Sequence, residues 1–285
     1  MYGAPPEWPR RLASRFVPLG PDPAAEAFLR SVPRASVART LAHHALCGLP
    51  LDDFDVNAWL GIVYPLHLLT NAQLRALFAA AALPTPLSRA LDDVGAGEGS
   101  VTAELRPLCA RLVAAETSRG MAARLRRAGL EVWEEDLAES AAARVRAGHG
   151  GFSLVALLNV LDRCSRPRGL LSAAHCLLGP SPSWLLLATP LPFRPAYFGP
   201  DTRWSGRPVE PFLEAPAPGA PEASWASEAE QILDGALPRA GFEPRAISRV
   251  PYLCGGDAFA PASELDALVV LAERAIRSGG NAEDA

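Results

Sequence analysis

The sequence predicts an α/β protein: a Rossmann-like, doubly wound, seven-stranded and mostly parallel sheet preceded by an N-terminal helical extension. Three observations carry that reading. From residue 86 onward, short apolar runs of strand length alternate with segments of helical period. The first of these runs ends in "LDDVGAGEG" (91–99), a glycine-rich turn of the kind that closes a strand and opens a helix. The second ends in Glu116, 19 residues after Gly97, where a doubly wound fold sets an acid at a strand's carboxyl end.

Residues 1–85 are expected to form the helical extension, or lid. Asp22-Pro23 supplies an N-cap and first-turn pair before "AAEAFLRSV", and Thr70-Asn71 opens "AQLRALFAAAAL". Between these helices "DVNAWLGIVYP" is either a lid that brings Asn57, Trp59 and Gly61 to a site, with Trp59 as a substrate contact, or a packed corner. The sheet domain, 86–275, opens with "ALDDV" (90–94) and continues with strands at 111–116, 129–133, 152–159 and 183–189; stretches at 242–250 and 264–272 complete the seven. Such βα repetition covers a sheet on both faces and leaves its ligand site at the carboxyl ends of the strands. Pro190 to Pro221 is thick with proline and has no period, so it reads as a long surface loop beside that edge. Its first half offers Phe193, Arg194, Tyr197 and Trp204 to a substrate, while "EAPAPGAPEAS" (214–224) and the tail 276–285 read as mobile.

Composition narrows the function. The chain has 285 residues and a net charge of -4, which argues against a protein that binds nucleic acid through bulk charge. All 27 basic residues are arginines. The five cysteines are odd in number and form no C-x-x-C pair, which points away from a disulfide framework and from a zinc site. His43, His44, His67, His149 and His175 form no metal spacing. No apolar run reaches membrane length, and "MYGAPPEWPRRLASRF" lacks the apolar centre of a signal peptide. An intracellular, cytoplasmic monomer with no nucleic-acid partner, metal or transmembrane segment is expected.

The glycine turn identifies a ligand class. A dinucleotide fingerprint requires glycine three positions after its second one, and Ser100 stands there instead. The spacing Asp93-x-Gly95-x-Gly97-x-Gly99 is that of the loop that holds S-adenosyl-L-methionine (SAM) in class I methyltransferases. Glu116 is placed to accept hydrogen bonds from both ribose hydroxyls. After the third strand, Asp136 is placed to reach the adenine amino group, with Glu134 and Glu135 as alternatives. The fourth strand runs into "LLNVLDRC", which leaves Asn159, Asp162 and Arg163 at the carboxyl edge. There they either line the acceptor side of the site or cap a helix and pair with other charges.

The run "NVLDRC", together with "LPFRP" (191–195), "RVPYLCGGD" (249–257), "NAWLG" (57–61) and "DVGAGEGSVT" (93–102), resembles the DREV family, also called methyltransferase-like protein 9, in the same order and from about Val17 to Leu271. The resemblance implies a SAM-dependent protein-histidine methyltransferase that modifies the pros nitrogen (Nδ1) of histidine in His-x-His segments of protein or peptide substrates. It implies that Asp93, Gly95, Gly97 and Glu116 bind SAM, and that Asn159, Asp162, Arg163 and Tyr252 form the substrate-histidine pocket. Two positions depart from the family pattern, where Glu98 and Gly255 each replace an aspartate or other acid. Attack by Nδ1 requires the tautomer protonated on Nε2, so an acceptor must hold that N–H, either Asp162 or the amide oxygen of Asn159. Arg163 either positions Asp162 or contacts the peptide backbone. Cys164 and Cys254 lie inside these motifs without an evident base and read as packing residues. The competing readings are a small-molecule methyltransferase and a SAM-binding interaction module without catalysis.

Overall fold

Every residue of Leu154–Leu158 and of Trp184–Leu191 is buried, so these two strands carry side chains into apolar surroundings on both faces. The computed structural model describes residues 2–32, 36–46, 53–62, 64–94, 99–146, 148–197, 208–214, 223–259 and 262–275. Among them, one sheet is built from β1 (Leu66–His67), β2 (Ala90–Val94), β3 (Leu112–Ala115), β4 (Glu131–Trp133), β5 (Leu154–Leu158), β6 (Trp184–Leu191), β7 (Phe242–Cys254) and β8 (Ser263–Arg274). Its order is β1-β7-β8-β6-β5-β2-β3-β4. Strands β2 to β6 pair in parallel. Strand β8 is antiparallel to both β6 and β7, so β7 runs in the same direction as β6. The chain therefore turns away from the sheet at one edge after β2, β3, β4, β5, β6 and β7 alike. That edge is where a doubly wound sheet opens its crevice.

The seven expected strands are all present, with ends displaced by a few residues, and the structure adds an eighth. Strand β1 is too short to show a period in the sequence; it is fixed by antiparallel pairing of Leu66 with Cys254 and His67 with Leu253. Strand β6 runs on through Pro190 and Leu191 because those residues pair with Ala267 and Asp266 of β8.

The helices are α1 (Arg10–Ala13), α2 (Pro23–Ser31), α3 (Val37–Leu46), α4 (Asp53–Leu60), α5 (Asn71–Ala80), α6 (Ser100–Leu105), α7 (Arg119–Arg127), α8 (Leu137–Arg146), α9 (Pro167–Leu177), α10 (Trp225–Glu230) and α11 (Leu237–Arg239), the last two joined by a π-helical turn, Gln231–Ala236. The two N-caps read from sequence are present. Asp22 Oδ1 accepts from Ala24 N–H at 2.9 Å, and Thr70 forms a capping box with Gln73. "DVNAWLGIVYP" is helical in its first part, as α4. Gly61, at φ +66°, ends that helix, with Gly61 N–H donating to Ala58 O and Ile62 N–H to Asn57 O. This is the Schellman pattern, and a left-handed residue at that position favours glycine.

Alternation along the strands divides the core. Val155 and Leu157 of β5 face one cluster with Val113, Leu185 and Val270, whereas Leu154, Ala156 and Leu158 face another with Leu112, Leu186 and Val269. Trp8 and Leu12 belong to the first cluster, and Phe16 bridges to Ile247 of β7, so the N-terminal residues are built into the sheet's packing. The proline-rich segment is likewise not wholly a surface loop. Phe212 is buried and meets the Phe193 ring at a centroid distance of 5.1 Å. Residues 198–207, 215–222 and 276–285, which include Trp204 and most of the stretch read as mobile, lie outside the described residues.

Candidate active site

At the carboxyl end of β5 the backbone leaves the sheet through Asn159, whose N–H still donates to Ala188 O at 2.8 Å while its φ is +60°. Left-handed backbone disfavours side chains bearing a Cβ, and asparagine tolerates it better than most. Three residues on, Asp162 is 2% exposed. Arg163 Nε lies 3.1 Å from Asp162 Oδ2, and the backbone oxygen of Asp162 accepts from Ala196 N–H at 2.8 Å. Asn159 Oδ1 and Asp162 Oδ1 are both buried, and among the described residues neither has a hydrogen-bond partner. Buried oxygens of this kind are rare because each forfeits its hydration, so two of them on one turn mark a place built to receive donors.

Burial raises the Asp162 carboxyl from its ordinary 3.8 to about 6, against the opposing pull of the Arg163 charge. Tyr252 and Cys254, at the end of β7, are near enough to feel both Asp162 and Arg163. Burial, the Cys254 thiol and the Asp162 charge raise the Tyr252 hydroxyl well above its ordinary range, so it stays protonated. Burial also raises the Cys164 thiol, to about 12, which leaves no thiolate for nucleophilic chemistry. The structure thus brings Asn159, Asp162, Arg163 and Tyr252 to one edge.

Glu116 follows β3 and is 4% exposed, with Oε1 accepting from Ser118 N–H at 2.8 Å. Asp136 Oδ1 caps α8 by accepting from Ala138 N–H at 2.8 Å, and the Asp136 charge reaches Cys164. Of the two alternatives to Asp136, Glu134 pairs with Arg126 at 2.6 Å and Glu135 with Arg144. Gly95 and Gly97 lie outside the described residues, and of Asp93 only the backbone, within β2, is described. Gly99, the last glycine of the motif, has φ +79° at the start of α6, and a Cβ there would stand 3.0 Å from Leu125 Cδ2. A buried carboxylate after β3, a left-handed turn at Gly99 that favours glycine, and acceptors after β5 with no partner among the described residues together fit an adenosyl ligand carrying hydroxyl and ammonium donors.

Phe193 packs on Phe212, and its N–H donates to Glu228 at 2.5 Å. Trp59 stands out from α4, 75% exposed. Two residues around the site had no signal in the sequence. Glu228 sits on the buried side of α10, where its carboxyl is raised by burial. Asp55 binds the turn after β3 from a different part of the chain. Among the described residues no group of three or more His, Cys, Asp or Glu side chains is arranged to hold a metal ion, and no helix is long and apolar enough to cross a membrane.

A sequence profile of a family described as DREV methyltransferase matches residues 1–274. Solved structures with a similar chain course include the N-methyltransferase NodS from Bradyrhizobium japonicum WM9 in complex with S-adenosyl-L-homocysteine, at 16% identity over 72% of this chain and 85% of that one, with a TM-score of 0.42. A precorrin 8W decarboxylase from Methanobacterium thermoautotrophicum is 15% identical over 73% and 92% of the two chains, with a TM-score of 0.41. A protein of unknown function from Deinococcus radiodurans R1 is 16% identical over 82% and 99%, with a TM-score of 0.42.

Proposed function

The chain belongs to the DREV methyltransferase family and uses S-adenosyl-L-methionine as its cofactor; from that premise we propose that its acceptor is the pros nitrogen, Nδ1, of a histidine in a His-x-His segment of a protein substrate. The observation that carries the reading is the pair of buried acceptors on the turn after β5, Asn159 Oδ1 and Asp162 Oδ1, which have no hydrogen-bond partner among the described residues. Bound SAM supplies an electrophilic methyl on a sulfonium, which needs only an aligned lone pair and exclusion of water. An imidazole offers that lone pair at whichever nitrogen lacks hydrogen. Asp162 Oδ1 accepts Nε2–H, so that the Nδ1 lone pair is turned toward the methyl. As the ring becomes cationic, the Asp162 carboxylate stabilises it, an electrostatic role a neutral acceptor fills less well.

Arg163 holds the other carboxylate oxygen and keeps Oδ1 directed at the ring. Tyr252, a protonated hydroxyl beside Asp162, forms a wall of the pocket. Glu116 takes the ribose hydroxyls, Asp136 the adenine amino group, and the Asp93–Gly97 loop the remainder of the cofactor, with Asn159 shared between cofactor and acceptor. Phe193 and Trp59 contact the peptide outside the histidine pocket.

Incubation with labelled SAM and a His-Ala-His peptide tests the proposal. Label on Nδ1, lost in Asp162→Ala while S-adenosyl-L-homocysteine (SAH) affinity is retained, is the expected result. Transfer to Nε2, or to small-molecule acceptors and not to the peptide, would overturn it.

A further inference from the structure

We propose that Asp55 of α4 is a positioning residue for Glu116 and that, through it, the N-terminal segment sets the affinity of the cofactor site. The inference rests on the reading that Glu116 takes the ribose hydroxyls. Glu116 Oε1 accepts from the backbone N–H of Ser118 at 2.8 Å. Ser118 is itself held from 63 residues away, its hydroxyl donating to Asp55 Oδ1 at 2.6 Å. The same Asp55 oxygen accepts from Gly120 N–H at 3.0 Å, while Ser118 Oγ accepts from Met121 N–H at 3.2 Å. Asp55 therefore serves as a second, charged cap on α7, where unpaired N–H groups and the helix dipole favour an anion. It also fixes the residue that orients the Glu116 carboxylate.

Contacts at Arg124 and Gly120 also join α4 and α7. Arg124 donates to the end of α4, from Nη2 to Ala58 O at 2.9 Å and to Asn57 O at 3.3 Å, and from Nη1 to Ile62 O at 3.1 Å. At Gly120 an added Cβ would fall 2.3 Å from Ala58 Cβ, a helix approach that only glycine permits. A carboxylate ordered before the ligand arrives loses less freedom on binding, so what holds Ser118 tightens the cofactor. Reciprocity then requires bound cofactor to strengthen the docking of α4 by the same factor.

Calorimetry with SAH on the full chain tests this. Asp55→Ala is expected to weaken SAH binding about tenfold, with kcat at saturating SAM within about twofold of wild type. Asp55→Asn keeps an acceptor and is expected to recover most of the affinity, and Gly120→Ala, which forces α4 from α7, to repeat the loss. If Asp55 acts through Glu116, Asp55→Ala costs nothing further in a Glu116→Ala background. Weak binding in Glu116→Ala with intact binding in both Asp55→Ala and Gly120→Ala would overturn the inference alone, as would full additivity of Asp55→Ala and Glu116→Ala. Undiminished binding in Glu116→Ala would overturn the assignment of Glu116 and the inference with it.

Discussion

Burial and charge oppose each other at Asp162, and the opposition has a measurable sign. Its carboxyl titrates near 6 in the folded protein. Below about pH 3 it is protonated in folded and unfolded chains alike. Between that pH and 6 the unfolded chain ionises first, so stability falls with rising pH, and above 6 the full cost of a buried charge, about 3 kcal/mol, is present. Asp162→Asn is therefore expected to be more stable than wild type at pH 7.5, by about that amount, and equally stable near pH 3, measured by denaturant unfolding at both. The same group shapes the rate. Transfer needs Asp162 ionised and a substrate histidine, near 6.5, neutral, so log kcat/KM should fall with a limiting slope of two on the acid side and of one for the residual activity of Asp162→Asn. Asn159 separates backbone from chemistry. Asn159→Gly keeps the left-handed turn and loses the acceptor, whereas Asn159→Ala adds strain of about 1 kcal/mol. Methylation should fall in both, and melting temperature only in the second. The types and order of these residues were legible in "NVLDRC"; the two unpartnered oxygens were not, because hydrogen-bond satisfaction depends on residues distant in sequence.

Individual elements were legible to the degree that they carry a period. The five parallel strands and the long β7 and β8 appear in the sequence as apolar runs, whereas β1 is two residues whose strand pairing comes from β7. Gly255, one of the two departures from the family pattern, has its reason here. Its N–H donates to Pro65 O at 2.7 Å, and a Cβ would stand 2.6 Å from Pro65 Cδ. Gly255→Glu, which puts an acid at this place, should push β1 from β7 and cost about 1–3 kcal/mol. Urea unfolding measures that loss, and unchanged SAH affinity would confine it to the sheet edge. Helix α4 reads as either a lid or a packed corner because its eight residues carry almost no amphipathic period; in the structure it packs on α3 and α7.

Over the whole molecule, the N-terminal residues are part of the main core. Trp8 is 5% exposed, its ring 5.7 Å from that of Trp225, and its indole N–H faces Ala226 O at 3.5 Å. Trp8→Ala should therefore lower global stability by about 3–5 kcal/mol, seen as one cooperative transition shifted to lower denaturant. An early separate transition with the main one unmoved would mean that the segment unfolds on its own. By itself the sequence determined the fold class, the seven principal strands and the acids and amides that the edge collects, since alternation, helical period and glycine spacing are properties of neighbouring residues. Only the tertiary structure decided that Trp8 seals the core and that Asp55 reaches Ser118. Those contacts join residues tens to hundreds of positions apart, and they exist because β7 doubles back parallel to β6 and α4 lies against α7, pairings made by shape and buried area that no local pattern encodes.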